Sequence, residues 1–188
     1  CEKGVPSMFF INKLDKEHSD FTKCIDSITR KFRKSCVLVA YPAGEKSSFT
    51  GVVNLITGQG MDALTDGDKT LAKAAIDTLS EAVAETDDAL LEKYLEKGEL
   101  SADELKSALK KSIADGTIHP IMCGSSTRNI GVKELMDFIV EYLPSLAERP
   151  QTEATRPGSD GAERFAVKLD PNGPFSGFVF KTLSDPFL

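Results

Sequence analysis

Hydrophobic and polar positions fall into blocks that predict strands and helices in turn. The largely apolar run at residues 7–11 follows Pro6 and is typical of a strand buried on both faces of a parallel sheet. From Asp20, apolar residues recur three and four positions apart, which predicts a helix with one buried face, capped by Ser19 or Asp20. A strand, a polar loop and a helix in succession indicate an α/β fold.

Apolar periodicity continues along the chain. Residues 70–96 predict an amphipathic helix broken near residues 86–88, and Ser101 with Glu104 forms a capping box that opens another helix. The remaining predicted elements are strands at 36–41, 49–56, 59–64 and 118–123, with 49–56 and 59–64 as a hairpin around Gly58, and a strong helix at 131–143.

Two of the predicted helices have an apolar stripe that we expect to face the core. Such a stripe arises because residues three and four apart lie on one helix face. In the first helix the stripe is Leu71, Ala75, Leu79 and Val83, then Leu90 or Leu91 and Tyr94; in helix 131–143 it is Val132, Leu135, Met136, Ile139, Val140 and Leu143.

The chain changes character after residue 143. Prolines and glycines concentrate between Pro144 and Pro174, which indicates a linker or loop region rather than a core. Strand-like alternation resumes at residues 164–168 and 175–183. We therefore predict that an all-β unit begins near residue 164.

Composition is typical of a soluble globular protein, since 40% of the 188 residues are hydrophobic and 28% are charged. There is no apolar run of the about 20 residues that a membrane span needs. The formal charge of −6 argues against general binding to nucleic acid, and we expect no sequence-specific DNA partner. No C-x-x-C pair occurs and both histidines stand alone, so no metal site is predicted. We interpret Cys1, Cys24, Cys36 and Cys123 as buried thiols of a cytoplasmic protein.

Negative charge is concentrated in one helical block. Residues 70–115 hold eleven acidic and six basic residues, which accounts for nearly all of the net charge. Residues 1–50 instead hold nine basic and six acidic residues. A charge run of this kind is typical of a solvated helix face.

Polar clusters follow two of the predicted strands. Asn12-Lys13-Leu14-Asp15 comes after strand 7–11, and Gly124-Ser125-Ser126 comes after strand 118–123. Open parallel sheets bind ligands at the carboxyl ends of their strands. These residues also suit helix caps and turns, but two such clusters on one sheet favour a binding site.

The first cluster suits guanine. This base presents two adjacent donors, N1–H and the exocyclic amine, which the Asp15 carboxylate can accept as a bidentate pair. Adenine has an acceptor at N1 and would be repelled. The Lys13 stem can lie along the base, and Asn12 can bond the base edge or tie neighbouring loops together. Backbone N–H groups of Gly124-Ser125-Ser126 can meet the guanine O6, because small residues allow close approach.

An ordered set of motifs resembles the bacterial translation elongation factor G family. The similarity extends over essentially the whole chain and is weakest at residues 58–79 and 149–163. The motifs lie at residues 12–21, 51–56, 87–95, 120–126, 142–144 and 174–187.

This resemblance implies a GTPase that promotes translocation of tRNA and mRNA on the ribosome with GTP hydrolysis. Ser126 stands where the family usually has Ala and Thr127 where it has a bulky Phe, and the short 58–69 stretch suggests a divergent paralogue. The implied guanine-binding residues are Asn12, Lys13, Asp15, Ser125 and Ser126, with Leu14, Gly124 and Thr127 supporting the loops.

The implied fold class is α/β, the C-terminal half of a P-loop GTPase-type three-layer sheet. An α+β insertion domain and the first strands of a β-barrel domain are also implied. The predicted domains are the GTPase domain at 1–33 and 116–147, the insertion at 34–115, a linker at 148–163 and the start of the barrel at 164–188.

The chain has no G-x-x-x-x-G-K-[ST] phosphate loop. Phosphate and magnesium binding supply the positioning and charge neutralisation that make phosphoryl transfer fast. No catalytic residue and no metal ligand are therefore assigned here, and GTP with Mg is expected only as the cofactor of a full-length protein. We expect the chain by itself to be catalytically incomplete.

The resemblance also implies partners. These are the ribosome, a guanine nucleotide and, through the acidic residues 70–115, the ribosomal stalk protein, in the cytoplasm and with no membrane partner. Two alternatives stay open. One alternative to an elongation factor G is a ribosomal protection or release-factor-type GTPase. The other is a stalk-binding module that acts through its acidic insertion.

Overall fold

A computed structural model describes residues 5–32, 36–145, 148, 152–155, 164–167, 170, 172–175, 177 and 179–184. The chain divides into two units, Cys1–Pro144 and Ser145–Leu188. The strands are β1 (Phe9–Ile11), β2 (Cys36–Leu38), β3 (Ala40–Ala43), β4 (Gly51–Asn54), β5 (His119–Cys123), β6 (Thr152–Thr155) and β7 (Arg164–Val167), and the α-helices are α1 (Phe21–Phe32), α2 (Asp66–Ala84), α3 (Asp88–Lys97), α4 (Ala102–Ala114) and α5 (Val132–Tyr142).

A three-stranded parallel sheet in the order β1-β5-β2 lies at the centre of the first unit. All five residues of β5 are buried, as the apolar character of residues 118–123 predicts for a central parallel strand. The α/β class with a parallel sheet is confirmed. Strand β2 lies within residues 34–115, so the segment predicted as an insertion contributes a strand to this sheet; the domain boundaries themselves stay a prediction.

The predicted strand at 36–41 is in fact two strands, β2 and β3, that separate at Val39. The Val39 N–H donates to the Ile121 carbonyl at 3.0 Å, while its own carbonyl accepts from the Leu55 N–H at 3.1 Å. Val39 is buried, and its two backbone hydrogen bonds join it to β5 on one side and to Leu55, just after β4, on the other. The chain therefore leaves the parallel sheet at Val39 and continues as the antiparallel hairpin of β3 and β4. The hairpin predicted between 49–56 and 59–64 is wrong, because β4 pairs with β3 and residues Met61–Ala63 form a 3-10 helix.

The helix predicted over 70–96 is interrupted where the sequence indicates. Helix α2 begins earlier, after the cap Thr65, and α3 begins after Asp87, whose carboxylate accepts from the Ala89 N–H at 3.0 Å. The predicted capping box of Ser101 and Glu104 is present at the start of α4. The break between α2 and α3 and the start of α4 are therefore as predicted, whereas the start of α2 is not.

The apolar stripes are only partly as predicted. Leu79 and Val83 of α2 are fully buried, but Leu71 is 59% exposed and Ala72 is buried in its place. In α5 the predicted stripe is wrong at Met136, Ile139 and Val140, which are exposed. Leu135 and Leu143 are half-buried against the core, as predicted, and the fully buried residues are Phe138 and Tyr142. The two aromatic rings stack at 4.5 Å, and aromatic side chains bury more area than the aliphatic stripe offers.

The cysteines differ in their surroundings. Cys36 and Cys123 are buried, as predicted, and burial raises the pKa of both thiols. Cys24 is exposed on α1, so its predicted burial is wrong; the buried residue of this helix is Phe21. Cys1 lies outside the described residues.

The second unit contains an antiparallel pair of strands, β6 and β7. Strand β7 confirms the strand predicted at 164–168, whereas β6 lies inside the segment predicted as a linker, 148–163, which is therefore not wholly a loop. The described residues of the stretch 175–183 form no strand, contrary to the prediction. Among the helices of the described residues, none is long and apolar enough to cross a membrane.

Candidate functional site

The two polar clusters lie side by side at the carboxyl edge of the parallel sheet. Strands β1 and β5 are neighbours, with Ile11 opposite Cys123, so the loops that follow them start together. The Gly124 N–H donates to the Ile11 carbonyl at 3.0 Å and the Leu14 N–H to the Gly124 carbonyl at 3.2 Å. We name these loops the first loop, residues 12–15, and the second loop, residues 124–127.

Asp15 is the most enclosed charged group of the first loop, with a side chain that is 5% exposed. The Ser125 hydroxyl donates to its Oδ1 at 2.6 Å, and Lys16 Nζ lies 2.9 Å from its Oδ2. The Ser125 hydrogen bond, and then that of Lys16, hold the pKa of Asp15 below its usual value. The carboxylate is therefore ionised at neutral pH and acts only as an acceptor.

Asn12 ties the first loop to the second. Its Oδ1 accepts from the Lys13 N–H at 2.7 Å and from the Ser126 N–H at 3.0 Å. Its Nδ2 donates to the Ser126 Oγ at 2.9 Å. These partners fix which end of the amide is nitrogen, and they leave one Nδ2 proton for a further acceptor.

Lys13 and Leu14 shape the first loop. Lys13 has a φ of 66°, in the left-handed region that non-glycine residues seldom adopt. This turn leaves Lys13 exposed and brings Leu14, 4% exposed, into the core. The Leu14 carbonyl accepts from the Ser19 hydroxyl at 2.9 Å and from the Lys46 N–H at 3.1 Å, which anchors the loop.

The backbone donors of the second loop differ from the expectation. The Gly124 and Ser125 N–H groups are used inside the fold, by the carbonyls of Ile11 and Ile130, so neither is available to a base. The Ser126 N–H donates to Asn12. The Thr127 N–H forms no hydrogen bond with any described residue. The sequence could not assign the Gly124 and Ser126 donors, because their acceptors in Ile11 and Asn12 are more than 110 positions away.

Gly124 allows the second loop to lie against β1. A Cβ on this residue would stand 2.4 Å from the Ile130 carbonyl oxygen and 2.7 Å from Phe10 Cζ. No other residue fits this position without displacing the backbone. The close fit explains why this position needs a glycine, and the role of Gly124 in supporting a base-binding loop stays a prediction.

Two residues near the site were not predicted from the sequence. Lys16 pairs with Asp15, as described above, and Arg128 Nη1 donates to the Phe49 carbonyl at 2.9 Å. The Arg128 N–H also reaches the Ser125 Oγ, at 3.4 Å. Basic character beside Asp15 was visible in the sequence, but the Phe49 contact spans 79 positions and has no local signal.

The described residues contain no cluster of three or more His, Cys, Asp or Glu side chains that would suit a metal ion. The polar groups at this sheet edge suit a purine that carries two adjacent donors and an acceptor. The ionised Asp15 carboxylate can accept from the donors, and the Thr127 N–H, which has no partner among the described residues, can donate to the acceptor.

An acidic cleft of about 690 Å³ lies between the α2–α3 connection, residues 85–87, and helix α4. Its wall includes Glu104, which forms an ion pair with Lys93 and accepts from Ser101, and these partners lower the pKa of Glu104 to about 2. The other charged residues of the wall are Glu85, Asp87, Asp103, Lys111 and Asp115.

A parallel sheet with two polar loops at its carboxyl edge is the arrangement in which open α/β domains bind their ligands. The family model described as the elongation factor Tu GTP binding domain matches residues 1–145, and the chain belongs to this family. The chain is also similar to the crystal structure of ttk003000868 from Thermus thermophilus, at 26% identity and a TM-score of 0.69. That similarity covers 79% of this chain and 24% of the other, so this chain spans about a quarter of that protein's length.

Proposed function

We propose that this chain is the guanine-reading part of a translational GTPase of the elongation factor G type. In the whole protein it would promote translocation on the ribosome with GTP hydrolysis, in the cytoplasm. One observation carries the proposal: the loops after β1 and β5 meet so that the Ser125 hydroxyl, 2.6 Å from Asp15, holds the carboxylate at the sheet edge. The membership of residues 1–145 in a GTP-binding domain family supports it.

Base recognition follows from the donors and acceptors at this edge. Ser125 donates to Oδ1 of Asp15 and Lys16 lies against Oδ2. A carboxylate oxygen accepts more than one hydrogen bond, so N1–H and the exocyclic amine of guanine can each approach one of the two oxygens. The Thr127 N–H is the backbone donor that remains for O6. The remaining Nδ2 proton of Asn12 suits an acceptor on the base edge, and the exposed Lys13 stem can cover the base face.

Exchange of Asp15 for asparagine tests the role of this carboxylate. The amide presents a donor toward the exocyclic position, so we expect Asp15→Asn to lose guanine and to prefer xanthine, which has a carbonyl there. Loss of a charge-assisted pair weakens binding about 10- to 150-fold. We would titrate the chain with GMP, AMP and XMP and follow the Thr127 amide and the Asn12 side chain by NMR. Asp26→Asn on α1 is the matched control.

Two outcomes of this titration contradict the proposal. One is an equal response of the wild-type chain to GMP and AMP. The other is an Asp15→Asn variant that keeps the GMP preference of the Asp26→Asn control. Either result would mean that Asp15 does not read the base.

Hydrolysis requires parts that this chain does not supply. With no phosphate-loop motif and no assigned magnesium ligand, we expect the chain to release no phosphate from GTP and to bind GTP weakly. A phosphate-release assay and calorimetric titration with GTP check this. Turnover, or a micromolar dissociation constant, would contradict it. Ribosomal protection and release-factor-type GTPases are the alternative classes within this proposal.

A second candidate function is docking of the ribosomal stalk protein on residues 70–115, favoured by the acidic walls of the cleft between residues 85–87 and α4. Complementary charge accelerates association and is screened by salt. We expect stalk protein to bind the chain more weakly as salt rises, and charge reversal by Asp103→Lys with Asp115→Lys to weaken it further. Asp62→Lys, outside the cleft, is the control. Binding unaffected by both the salt and the double reversal would rule out this surface.

A further inference from the structure

The direction of each hydrogen bond around Ser125 follows from counting protons. Ionised Asp15 has no proton to give, so the 2.6 Å bond to its Oδ1 uses the single hydroxyl proton of Ser125. Ser125 Oγ also lies 3.2 Å from Thr127 Oγ1. Because the Ser125 proton is already used, Thr127 must be the donor in that contact.

The result is a directed relay from Thr127 through Ser125 to Asp15. Ser125 is fully buried, so the groups that reach its hydroxyl are its protein neighbours, of which the Thr127 hydroxyl is one. The Arg128 N–H reaches the second lone pair of Ser125 only at 3.4 Å. Donation to a hydroxyl polarises it and strengthens the bond that it donates in turn. The Thr127 hydroxyl therefore strengthens the hold of Ser125 on Asp15 without touching Asp15.

Ser126 acts in a similar way on Asn12, by direct contact. Its hydroxyl accepts from Asn12 Nδ2 at 2.9 Å while its N–H donates to Asn12 Oδ1 at 3.0 Å. A reversed amide would place a donor against the Ser126 N–H and an acceptor where Nδ2 now donates. We call these two Ser126–Asn12 hydrogen bonds the clasp. The clasp holds the Asn12 amide in the orientation that leaves one Nδ2 proton available to a ligand.

We propose that the hydroxyl groups of Ser126 and Thr127 are positioning groups for the two base-reading side chains, Asn12 and Asp15. The second loop then sets the geometry of the first loop before a ligand arrives. This inference rests on the proposed function for its meaning in base recognition. The hydrogen-bond network itself is testable in the chain without any nucleotide.

The relay is tested by carboxyl NMR titration of Asp15. Thr127→Val keeps the shape of the side chain and removes the hydroxyl, so we expect the Asp15 pKa to rise toward the ordinary aspartate value. Thr127→Ser keeps the hydroxyl and should leave the pKa at the wild-type value. Lys16, the charged group in contact with Asp15, is the same in both variants. An equal Asp15 pKa in the two variants overturns the relay.

The clasp is tested by hydrogen exchange of the Asn12 side-chain amide. Ser126→Ala removes the acceptor of Nδ2, so we expect faster exchange, and Ser126→Thr should restore the wild-type rate. Ser107→Ala on the exposed face of α4 controls for loss of a hydroxyl elsewhere. An Asn12 exchange rate that is unchanged in Ser126→Ala overturns the clasp.

Binding of GMP then connects the network to recognition. We expect Ser126→Ala and Thr127→Val each to raise the dissociation constant for GMP about two- to tenfold, which is the change that loss of one hydrogen bond produces. Thr70→Val, on the exposed side of α2, should bind like the wild type. Full GMP affinity in both loop variants overturns the positioning role. A wild-type chain that binds no GMP contradicts the proposed function, while the pKa and exchange measurements still decide the network.

Discussion

Gly124 offers the sharpest test of how the two loops are held together. In Gly124→Ala the new Cβ would stand 2.4 Å from the Ile130 carbonyl oxygen and 2.7 Å from Phe10 Cζ, well inside van der Waals contact. The Phe10 ring can turn, but the Ile130 carbonyl is backbone and accepts from the Ser125 N–H at 2.9 Å. Relief of the clash therefore requires that this hydrogen bond lengthen or break.

The cost of this substitution has two parts. Overpacking of a close-fitted position costs about 1–3 kcal/mol, and a weakened backbone hydrogen bond adds about 0.5–1.5 kcal/mol. A domain of this size loses about 3 °C of melting temperature for each kcal/mol. We therefore expect the melting temperature to fall by about 5–14 °C.

Thermal unfolding followed by circular dichroism measures this loss. Gly51→Ala is the matched control, because no atom lies within 4 Å of its added Cβ and we expect no loss there. Adding Phe10→Ala to Gly124→Ala should not restore stability, since the nearer clash is with backbone. A Gly124→Ala protein as stable as Gly51→Ala, or one rescued by removal of the Phe10 ring, would refute this reasoning.

The remaining predictions concern the helices. Leu79→Ala, at a fully buried position of α2, should cost about 2–5 kcal/mol in urea unfolding, whereas Leu71→Ala should change the free energy of unfolding by no more than about 0.5 kcal/mol. Equal costs would contradict the burial of this helix. The pKa of Glu104 is lowered from 4.5 to about 2, so its stabilising effect is complete above pH 4.5 and is lost as the pH falls through about 2. Glu104→Gln should therefore make the melting temperature depend less on pH between these values, and the control Glu99→Gln should not. Parallel pH profiles for the two variants would show that Glu104 does not form its contacts with Lys93 and Ser101.

Local sequence signals determined much of this protein. The break predicted near residues 86–88, the box of Ser101 and Glu104 and the apolar run at 118–123 correspond to the starts of α3 and α4 and to β5, because capping and strand burial depend on residues a few positions apart. Placement of the first and second loops at one sheet edge also followed from sequence, since parallel strands carry their loops on the same side.

Tertiary structure decided which residues of α5 are buried, which strand pairs with β4 and which backbone N–H groups of the second loop stay available. Periodicity predicted Leu135 and Leu143 of α5 on the inner side, as observed, but it also placed Met136, Ile139 and Val140 there, whereas the fully buried residues are Phe138 and Tyr142, whose rings stack on each other. The partner of β4 depended on the hydrogen bonds of Val39, which no local pattern encodes. At the site, residue types indicated a base reader, but Ile130 accepts the Ser125 N–H and Asn12 accepts that of Ser126, which leaves the N–H of Thr127. Which backbone N–H group is available depends on the acceptors that folding brings close to each one. The sequence by itself could therefore indicate the residues of the site but not the N–H groups that remain available to a ligand.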